Sequence, residues 1–141
     1  MNSSRYVNAE IDIPPHDPPS GAIVCRLEGE LVAASAAQTR EAMTSLLSED
    51  QVVLDLSGTW FIDSAGLGAL IGGVRRIREH GGRVVVSSCR PGVERLLRMV
   101  GFDRVVPVVH NLDQARAVLD ATPLRSIRID AGGGSATPRG R

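Results

Sequence analysis

The 141-residue chain contains no lysine, so all sixteen of its basic residues are arginine. Schiff-base catalysis and the phosphate-binding loop of P-loop nucleotidases both need a lysine side chain, and both are therefore excluded. Sixteen acidic residues balance the arginines and give a formal net charge of zero. Because a nucleic-acid interface needs a concentrated basic face, this balance argues against direct contact with DNA.

Cysteine, histidine and long apolar runs are also scarce. The two cysteines, Cys25 and Cys89, match no metal-binding spacing, and a lone pair of cysteines in a cytoplasmic chain is typically reduced and buried. Three scattered histidines suggest no metal cluster. No apolar run approaches the roughly 18 residues that span a bilayer, and the N-terminal residues lack the apolar core of a secretory signal. The sequence therefore predicts a cytoplasmic protein without a membrane segment, a metal or a cofactor.

Strand and helix patterns alternate along a chain of single-domain length. The first two strands are expected to be antiparallel and joined by a rigid proline-rich loop, because proline cannot donate to a sheet. Strands are expected at 6–13, 22–27, 52–56, 83–87 and 105–109, and helices at 33–47, 64–78, 91–100 and 111–121. The order β-β-α-β-α-β-α-β-α predicts a single α/β domain, with a mixed, mostly parallel sheet and helices packed against it.

The expected domain spans residues 5–121. Residues 122–141 are expected to form a flexible C-terminal tail, because the last dozen residues lack apolar content. Inside the domain, Gly81 and Gly82 stand where a left-handed cap would end a helix, and Gly101 stands where the next helix should stop.

The most informative segment is a buried strand that turns at Ser57 and Gly58 and leads into an amphipathic helix. Asp63 or Ser64 is the natural N-cap, since either side chain can accept hydrogen bonds from the free N–H groups of the first turn. Gly66 and Gly68 are poor helix formers in that first turn. Their presence suggests that another element, a ligand or a partner protein approaches the backbone closely.

Residues 61–68 read FIDSAGLG and resemble the signature of STAS-domain anti-sigma factor antagonists. The flanking segments fit the same family: GEL at 29–31, GG at 81–82, and PGVERLLRMVGF at 91–102. The resemblance covers residues 5–121. Two positions depart from the family pattern, because Val32 stands where an aspartate is common and Ala65 where a serine or threonine is usual.

The resemblance implies a regulatory protein without catalytic residues. In this family the unphosphorylated antagonist binds an anti-sigma factor that is itself a serine kinase, and the sigma factor is released. The kinase phosphorylates the serine after the motif's aspartate, and a metal-dependent phosphatase reverses the modification. The matching serine is Ser64. The residues expected to bind the partner are Glu30, Trp60, Asp63, Ser64, Gly66 and Gly68.

Two other functions compete with this interpretation. A STAS domain can also serve as a regulatory subunit of a transport system or of a larger signalling assembly, and that role does not require Ser64 to be modified. A small enzyme is the second alternative, but the glycine string at 66–72 lacks the acidic residue that a dinucleotide site needs after the next strand, and no G-x-S-x-G elbow surrounds Ser64.

Two further features have plain structural explanations beside functional ones. Trp60, the sole tryptophan, is either a core residue or an exposed contact for a partner. Arg75, Arg76 and Arg78 are expected on a solvated helix face, where they could also meet an acidic partner.

Overall fold

A computed structural model describes residues 9–12, 21–119 and 124–130, with the backbone alone described in the first and last of these ranges. Ten regular elements follow one another, with short 3₁₀ turns at Ala33–Ser35 and Phe102–Arg104. They are β1 (Ala9–Asp12), β2 (Ala22–Leu31), α1 (Ala36–Thr44), β3 (Gln51–Ile62), α2 (Ser64–Glu79), β4 (Arg83–Ser87), α3 (Pro91–Met99), β5 (Val108–Val109), α4 (Leu112–Leu119) and β6 (Leu124–Asp130).

The strands form one six-stranded sheet in the order β1-β6-β2-β3-β4-β5. Every neighbouring pair is parallel except β1 and β6, which are antiparallel. Helices connect the parallel strands, as parallel pairing requires. The predicted fold class, a single α/β domain with a mixed, mostly parallel sheet, is confirmed.

The first two strands run antiparallel, as expected, but they are not neighbours in the sheet. β1 does not lie beside β2, because β6 occupies the place between them: Ala9 pairs with Ile129 of β6, and Ala22 of β2 pairs with Leu124. The proline-rich loop that was expected to join the first two strands lies outside the described residues.

The expected flexible tail is also wrong for residues 124–130. The segment LRSIRID forms β6, whose backbone pairs with β2 on one edge and β1 on the other, so its hydrogen-bonding groups are satisfied within the sheet. The glycine-rich residues from 131 onward resemble a flexible tail, whereas Ile127 and Ile129 alternate with polar residues as in a strand. The sheet therefore continues beyond the expected domain boundary at residue 121, and residues 131–141 lie outside the described part of the chain.

The core lies on both faces of the sheet, with α1, α2 and α3 on one face and α4 on the other. The larger cluster joins strand residues such as Leu27 and Leu54 to helix residues such as Leu70 and Leu97, all four of them fully buried. The smaller cluster packs Ala115 and Leu119 of α4 against the opposite face. Burial of each large aliphatic side chain contributes about 1.5–3 kcal/mol, so these layers hold the sheet and helices together.

The third strand is much longer than predicted. β3 continues through Ser57 and Gly58, where a turn was expected, and ends at Ile62. Its pairing with β2 skips one β3 residue after Asp55 and another at Trp60. Two bulges of this kind bend a strand without ending it, which is why serine and glycine in its middle resemble a turn.

Both cysteines are free thiols. Burial raises the pKa of the Cys25 thiol to about 12, with a smaller contribution from the nearby Asp55 carboxylate. Burial is also the largest cause that raises the pKa of the partly buried Cys89 thiol to about 11. High thiol pKa values of this kind mean little nucleophilic thiolate at neutral pH, in line with a structural role for both cysteines.

Candidate functional site

The predicted functional residues lie where β2 and β3 extend beyond the rest of the sheet. β4 pairs with β3 only as far as Asp55, and the register of β6 with β2 ends at Glu28. Beyond these points, β2 and β3 pair only with each other among the described strands, and this pairing continues to Leu31 and Ile62. This two-stranded ribbon leads directly into the Ala33–Ser35 turn on one side and the start of α2 on the other.

Asp63 is the N-cap of α2, with an extended backbone. Its Oδ1 accepts a hydrogen bond from the Gly66 N–H at 2.8 Å, and its Oδ2 accepts one from the Ala33 N–H at 3.2 Å. Its own N–H donates to the Leu31 carbonyl at 3.0 Å. The N-cap was left open between Asp63 and Ser64 on sequence grounds, and the structure assigns it to Asp63. One side chain therefore ties the helix start to the turn after β2.

The hydrogen bonds to Asp63 also affect its ionisation. The Gly66 N–H is the largest cause that lowers the pKa of the Asp63 carboxyl below its usual value, and the Ala33 N–H acts in the same direction. A carboxylate at a helix N-terminus is further favoured by the helix dipole. Asp63 is therefore a pre-positioned anion whose lone pairs are partly committed to the backbone.

We expect removal of this cap to lower thermal stability in a pH-dependent way. At pH 7, Asp63→Ala should melt at a lower temperature than wild type, whereas Asp63→Asn, which keeps an acceptor oxygen, should lose less. A carboxyl group whose pKa is lowered in the folded state stabilises the fold at pH values above its pKa in the unfolded chain, about 3.9. This contribution to stability disappears as the pH falls through the pKa of the folded state.

Circular-dichroism melts across pH should therefore show a constant gap between wild type and Asp63→Ala down to about pH 5, and a narrowing gap below about pH 4. A gap that stayed constant at about pH 2.5 would contradict the role assigned to the ionised cap.

Ser35 fixes the turn that faces Asp63. It is buried, and its Oγ donates to the Glu30 carbonyl at 2.7 Å and accepts from the Val32 N–H at 3.1 Å. Sequence reasoning missed this residue. Its only signal was a single serine in the alanine-rich run VAASAAQ, where a polar side chain interrupts a helix pattern.

The two glycines of the motif have different environments. A Cβ added at Gly66 would lie 1.9 Å from the Leu31 carbonyl oxygen, so the close approach inferred from sequence is made by the end of β2. A Cβ added at Gly68 would meet nothing within 4 Å. Gly68 is exposed one turn after Ser64, and no neighbour in the described residues explains its lack of a side chain.

Ser64 is the first residue of α2 and is exposed to solvent. Trp60 and Phe61, just before it on the ribbon, are 54% and 51% exposed. Trp60 therefore lies on a strand at the surface and not in the core. Glu30 is partly buried and pairs in register with Phe61. The ribbon end and the helix start thus bring five of the six predicted binding residues to the surface or near it, while Gly66 is buried beneath.

Phe61 was not singled out as a binding residue in the sequence. In an ordinary strand, Trp60 and Phe61 would point to opposite faces. Thr59 and Phe61 pair with two consecutive residues of β2, so Trp60, which lies between them, is the extra residue of a bulge. A bulge re-aims side chains in this way, so both aromatic residues can be exposed together.

The basic residues of α2 lie toward its other end. Arg75 and Arg78 are exposed, as expected for a solvated face, and Arg76 donates a hydrogen bond to the Thr44 hydroxyl of α1. His80 follows the helix as its C-cap. Sixteen residues of helix correspond to about 24 Å, so His80 is too far from Ser64 to act as its general base.

The described residues offer little for other chemistry. Within 21–119 and the two flanking strands, no three His, Cys, Asp or Glu side chains are grouped to hold a metal ion. None of the helices in the described part of the chain is long and apolar enough to span a membrane. The arrangement at the start of α2 is a surface with one exposed hydroxyl, two exposed aromatic rings and a rigid scaffold beneath.

Comparison with known proteins gives two informative similarities in sequence and two in structure. Residues 13–115 match the family model described as the STAS domain. The chain is 32% identical over 108 residues to an anti-sigma F factor antagonist of Paenibacillus polymyxa, a match that covers 74% of this chain and 90% of that protein.

Two solved structures share the fold. One is the Bacillus cell fate determinant SpoIIAA in its phosphorylated form, with a TM-score of 0.56, 18% identity, and coverage of 79% of this chain and 99% of that chain. The other is the STAS domain of a SulP transporter from Vibrio cholerae, with a TM-score of 0.61, 24% identity, and coverage of 74% of this chain and 85% of that chain. At these identities the structural likeness concerns the fold.

Proposed function

The chain belongs to the STAS-domain family, and on that premise we propose that it is an anti-sigma factor antagonist that acts through the surface around Ser64. It binds an anti-sigma factor and so releases a sigma factor, without contacting DNA itself. This activity takes place in the cytoplasm. The relative that is 32% identical carries this function in its name. The observation that carries the proposal is an exposed Ser64 on a rigid helix start, beside two exposed aromatic rings.

The binding surface consists of Glu30, Trp60, Phe61, Asp63, Ser64 and Gly68. Gly66 supports it from below, because its missing side chain lets α2 lie against the end of β2. Tryptophan is enriched among the residues that dominate binding energy, and half-exposed aromatic rings on a rigid ribbon lose little entropy when they are covered. Gly68 adds a position where a partner can approach the helix backbone closely.

Phosphorylation of Ser64 by a serine kinase, the anti-sigma factor itself, is the switch in this proposal, and a metal-dependent phosphatase reverses it. The exposed hydroxyl is accessible to a kinase, and one structural relative has been solved in a phosphorylated form. A phosphoryl group adds about −1.5 to −2 charges at the centre of the surface. A loss of about 2.7 kcal/mol in binding free energy would weaken the complex hundredfold.

The fold should tolerate this modification. The Asp63 carboxylate already caps the helix through Gly66, and within the described part of the chain the Ser64 side chain makes no hydrogen bond. An added phosphate would also lie at the N-terminal end of α2, where the helix dipole favours negative charge. The modification therefore changes the binding surface and leaves the core untouched.

Truncation of the exposed tryptophan tests the position of the surface. Trp60→Ala should weaken binding of the anti-sigma factor by about 2 kcal/mol or more, which is roughly 30-fold, as expected for an aromatic hot spot. Met99→Ala is the matched control, because Met99 is 76% exposed at the end of α3, outside the proposed surface. Calorimetric titration of both variants measures the effect, and equal affinities for both would place the interface elsewhere.

Co-purification tests the function itself. The tagged chain with Ser64→Ala, which cannot be phosphorylated at that position, is expressed in its natural host and recovered with its bound proteins. We expect an ATP-binding anti-sigma factor, and we expect addition of the purified chain to that anti-sigma factor to release its sigma factor. Recovery of a transport protein in its place would contradict the proposal.

The transport-linked function remains the second candidate because of the likeness to the STAS domain of a SulP transporter. In that case the same surface would bind a transporter or a larger signalling assembly, and Ser64 would not need to be modified. The two candidate functions are distinguished by whether Ser64 becomes phosphorylated when ATP and the partner are added.

A further inference from the structure

The end of β2 is held by Ser35, which lies in the turn before α1. The Ser35 Oγ donates a hydrogen bond to the Glu30 carbonyl at 2.7 Å and accepts one from the Val32 N–H at 3.1 Å. The Ser35 N–H donates to the Val32 carbonyl at 3.0 Å. Ser35 is only 2% exposed, so water does not readily take the place of its hydroxyl. One buried serine therefore satisfies three backbone groups at positions 30 and 32.

Asp63 holds the backbone groups that alternate with those bound by Ser35. The Asp63 N–H donates to the Leu31 carbonyl at 3.0 Å, and the Asp63 Oδ2 accepts from the Ala33 N–H at 3.2 Å. Along the chain, Ser35 thus binds positions 30 and 32, and Asp63 binds positions 31 and 33. Because the bound groups alternate, a movement of the turn away from Ser35 also disturbs its hydrogen bonds with Asp63.

We propose, resting on the function proposed above, that Ser35 is a positioning residue for partner binding, whose hydroxyl holds Glu30 and the turn in place beside Asp63. Glu30 belongs to the proposed binding surface, and Ser35 binds its carbonyl from within the fold. A surface that is fixed before binding loses less entropy on association than one that the partner has to order. Loss of the Ser35 hydroxyl therefore weakens the complex although it removes no contact with the partner.

The alternative is a purely structural hydroxyl, whose loss lowers stability and leaves the binding surface in place. Thr59 offers a matched control on the same ribbon. Its Oγ1 is buried and donates to the Leu27 carbonyl at 2.9 Å, so Thr59→Val also deprives a β2 carbonyl of a side-chain donor. Leu27 lies earlier in β2, and this change therefore spares the hydrogen bonds between the turn and Asp63.

The ionisation of Asp63 reports the position of the turn. The Gly66 N–H is the largest cause that lowers the pKa of the Asp63 carboxyl, and the Ala33 N–H of the turn lowers it further. Between positions 30 and 35 and in the first turn of α2, the one other ionisable side chain is that of Glu30. If the turn moves when Ser35 loses its hydroxyl, the hydrogen bond from Ala33 is lost and the pKa of Asp63 rises.

Three substitutions of Ser35 and the control test the effect on binding. Ser35→Ala removes the hydroxyl, Ser35→Thr keeps it, and Ser35→Cys replaces it with a weaker donor, so that the test does not depend on the alanine variant alone. The probe is the anti-sigma factor recovered with Ser64→Ala, titrated calorimetrically without ATP below the melting transition of every variant. We expect Kd about tenfold higher for Ser35→Ala, higher also for Ser35→Cys, and near the wild-type value for Ser35→Thr and Thr59→Val.

Carbon-13 NMR of the side-chain carboxyl groups gives the pKa of Asp63 in the same variants without any partner. We expect a higher pKa of Asp63 in Ser35→Ala and Ser35→Cys than in the wild-type protein. Ser35→Thr and Thr59→Val should keep the wild-type value, even where Thr59→Val lowers the melting temperature. Agreement between the two measurements would link the hydroxyl of Ser35 to the geometry of the surface and not to stability alone.

Three results would overturn the inference while the proposed function stands. The first is a wild-type Kd for folded Ser35→Ala and Ser35→Cys. The second is an increase in Kd for Thr59→Val as large as that for Ser35→Ala, which would make the effect one of general stability. The third is a raised Kd for Ser35→Ala with an unchanged pKa of Asp63, which would show that the turn has not moved. Failure of the proposed function appears separately, when Ser64→Ala recovers no anti-sigma factor, and the inference then falls with it.

Discussion

Gly66→Ala is expected to destabilise the protein severely, by about 3 kcal/mol or more, the upper part of the range for overpacked sites. The added Cβ would lie 1.9 Å from the Leu31 carbonyl oxygen and 2.3 Å from its carbonyl carbon. These are backbone atoms of a buried strand end, so no side-chain rotation can relieve the clash. The helix start would have to move away from β2, and the hydrogen bonds of Asp63 to both sides would be lost with it.

Gly68→Ala is the matched control, two residues further along the same helix. A Cβ there meets nothing within 4 Å, and alanine is favoured over glycine in helices by up to about 1 kcal/mol. Urea denaturation followed by circular dichroism should show a lower midpoint for Gly66→Ala and an equal or higher one for Gly68→Ala. Equal midpoints for the two variants would mean that α2 does not lie against β2 as described.

The second large effect concerns binding. Ser64→Glu is expected to bind the anti-sigma factor about a hundredfold more weakly than wild type, because it adds a negative charge at the centre of the contact surface, beside the Asp63 carboxylate. Ser64→Ala should bind like wild type, since it removes only a small exposed hydroxyl. Both variants should keep the wild-type melting temperature within a few degrees, because position 64 contributes no packing to the core.

Affinity and stability must be measured on the same preparations for this prediction to be decisive. If Ser64→Glu bound like wild type and only Ser64→Ala lost binding, the hydroxyl would be a required contact and not a switch. If Ser64→Glu lost affinity together with a large drop in melting temperature, the effect would come from the fold. Neither result is compatible with a surface that responds to charge on a stable scaffold.

The order of elements was predictable because periodicity separates helices from strands and glycines mark helix ends. β4 begins and ends as expected, and Gly81 and Gly101, both with φ near +80° to +90°, follow α2 and α3. The placement of Ser64 at the start of α2 also followed from sequence, since a β-branched strand, an acidic cap and an apolar helical stripe occur in succession.

The elements that could not be predicted depend on contacts distant in sequence. β6 is stabilised by pairing with β2 and β1, which are about a hundred residues away, and its own sequence signals a strand only through the short alternation of Ile127 and Ile129 with polar residues. The extension of β3 depends on two bulges, and a bulge has no reliable sequence signature. The exposure of Phe61 and the role of Ser35 follow from these local geometries.

The departure of Val32 from the family pattern acquires a physical meaning in this arrangement. Val32 precedes the turn at Ala33–Ser35, where its N–H donates to Ser35 and its side chain lies partly buried. An aspartate there would place a second carboxylate near Asp63. With valine at this position the turn adds no carboxylate to those of Glu30 and Asp63.

The most direct test of the central claim is to phosphorylate the protein with its anti-sigma factor and ATP and then to compare the two forms. Mass spectrometry of peptides locates the phosphoryl group, and calorimetric titration without ATP gives Kd for the modified and unmodified protein. We predict modification at Ser64 and an affinity about a hundredfold lower for the phosphorylated form. Modification at another residue, or equal affinities for the two forms, would contradict a switch located at the start of α2.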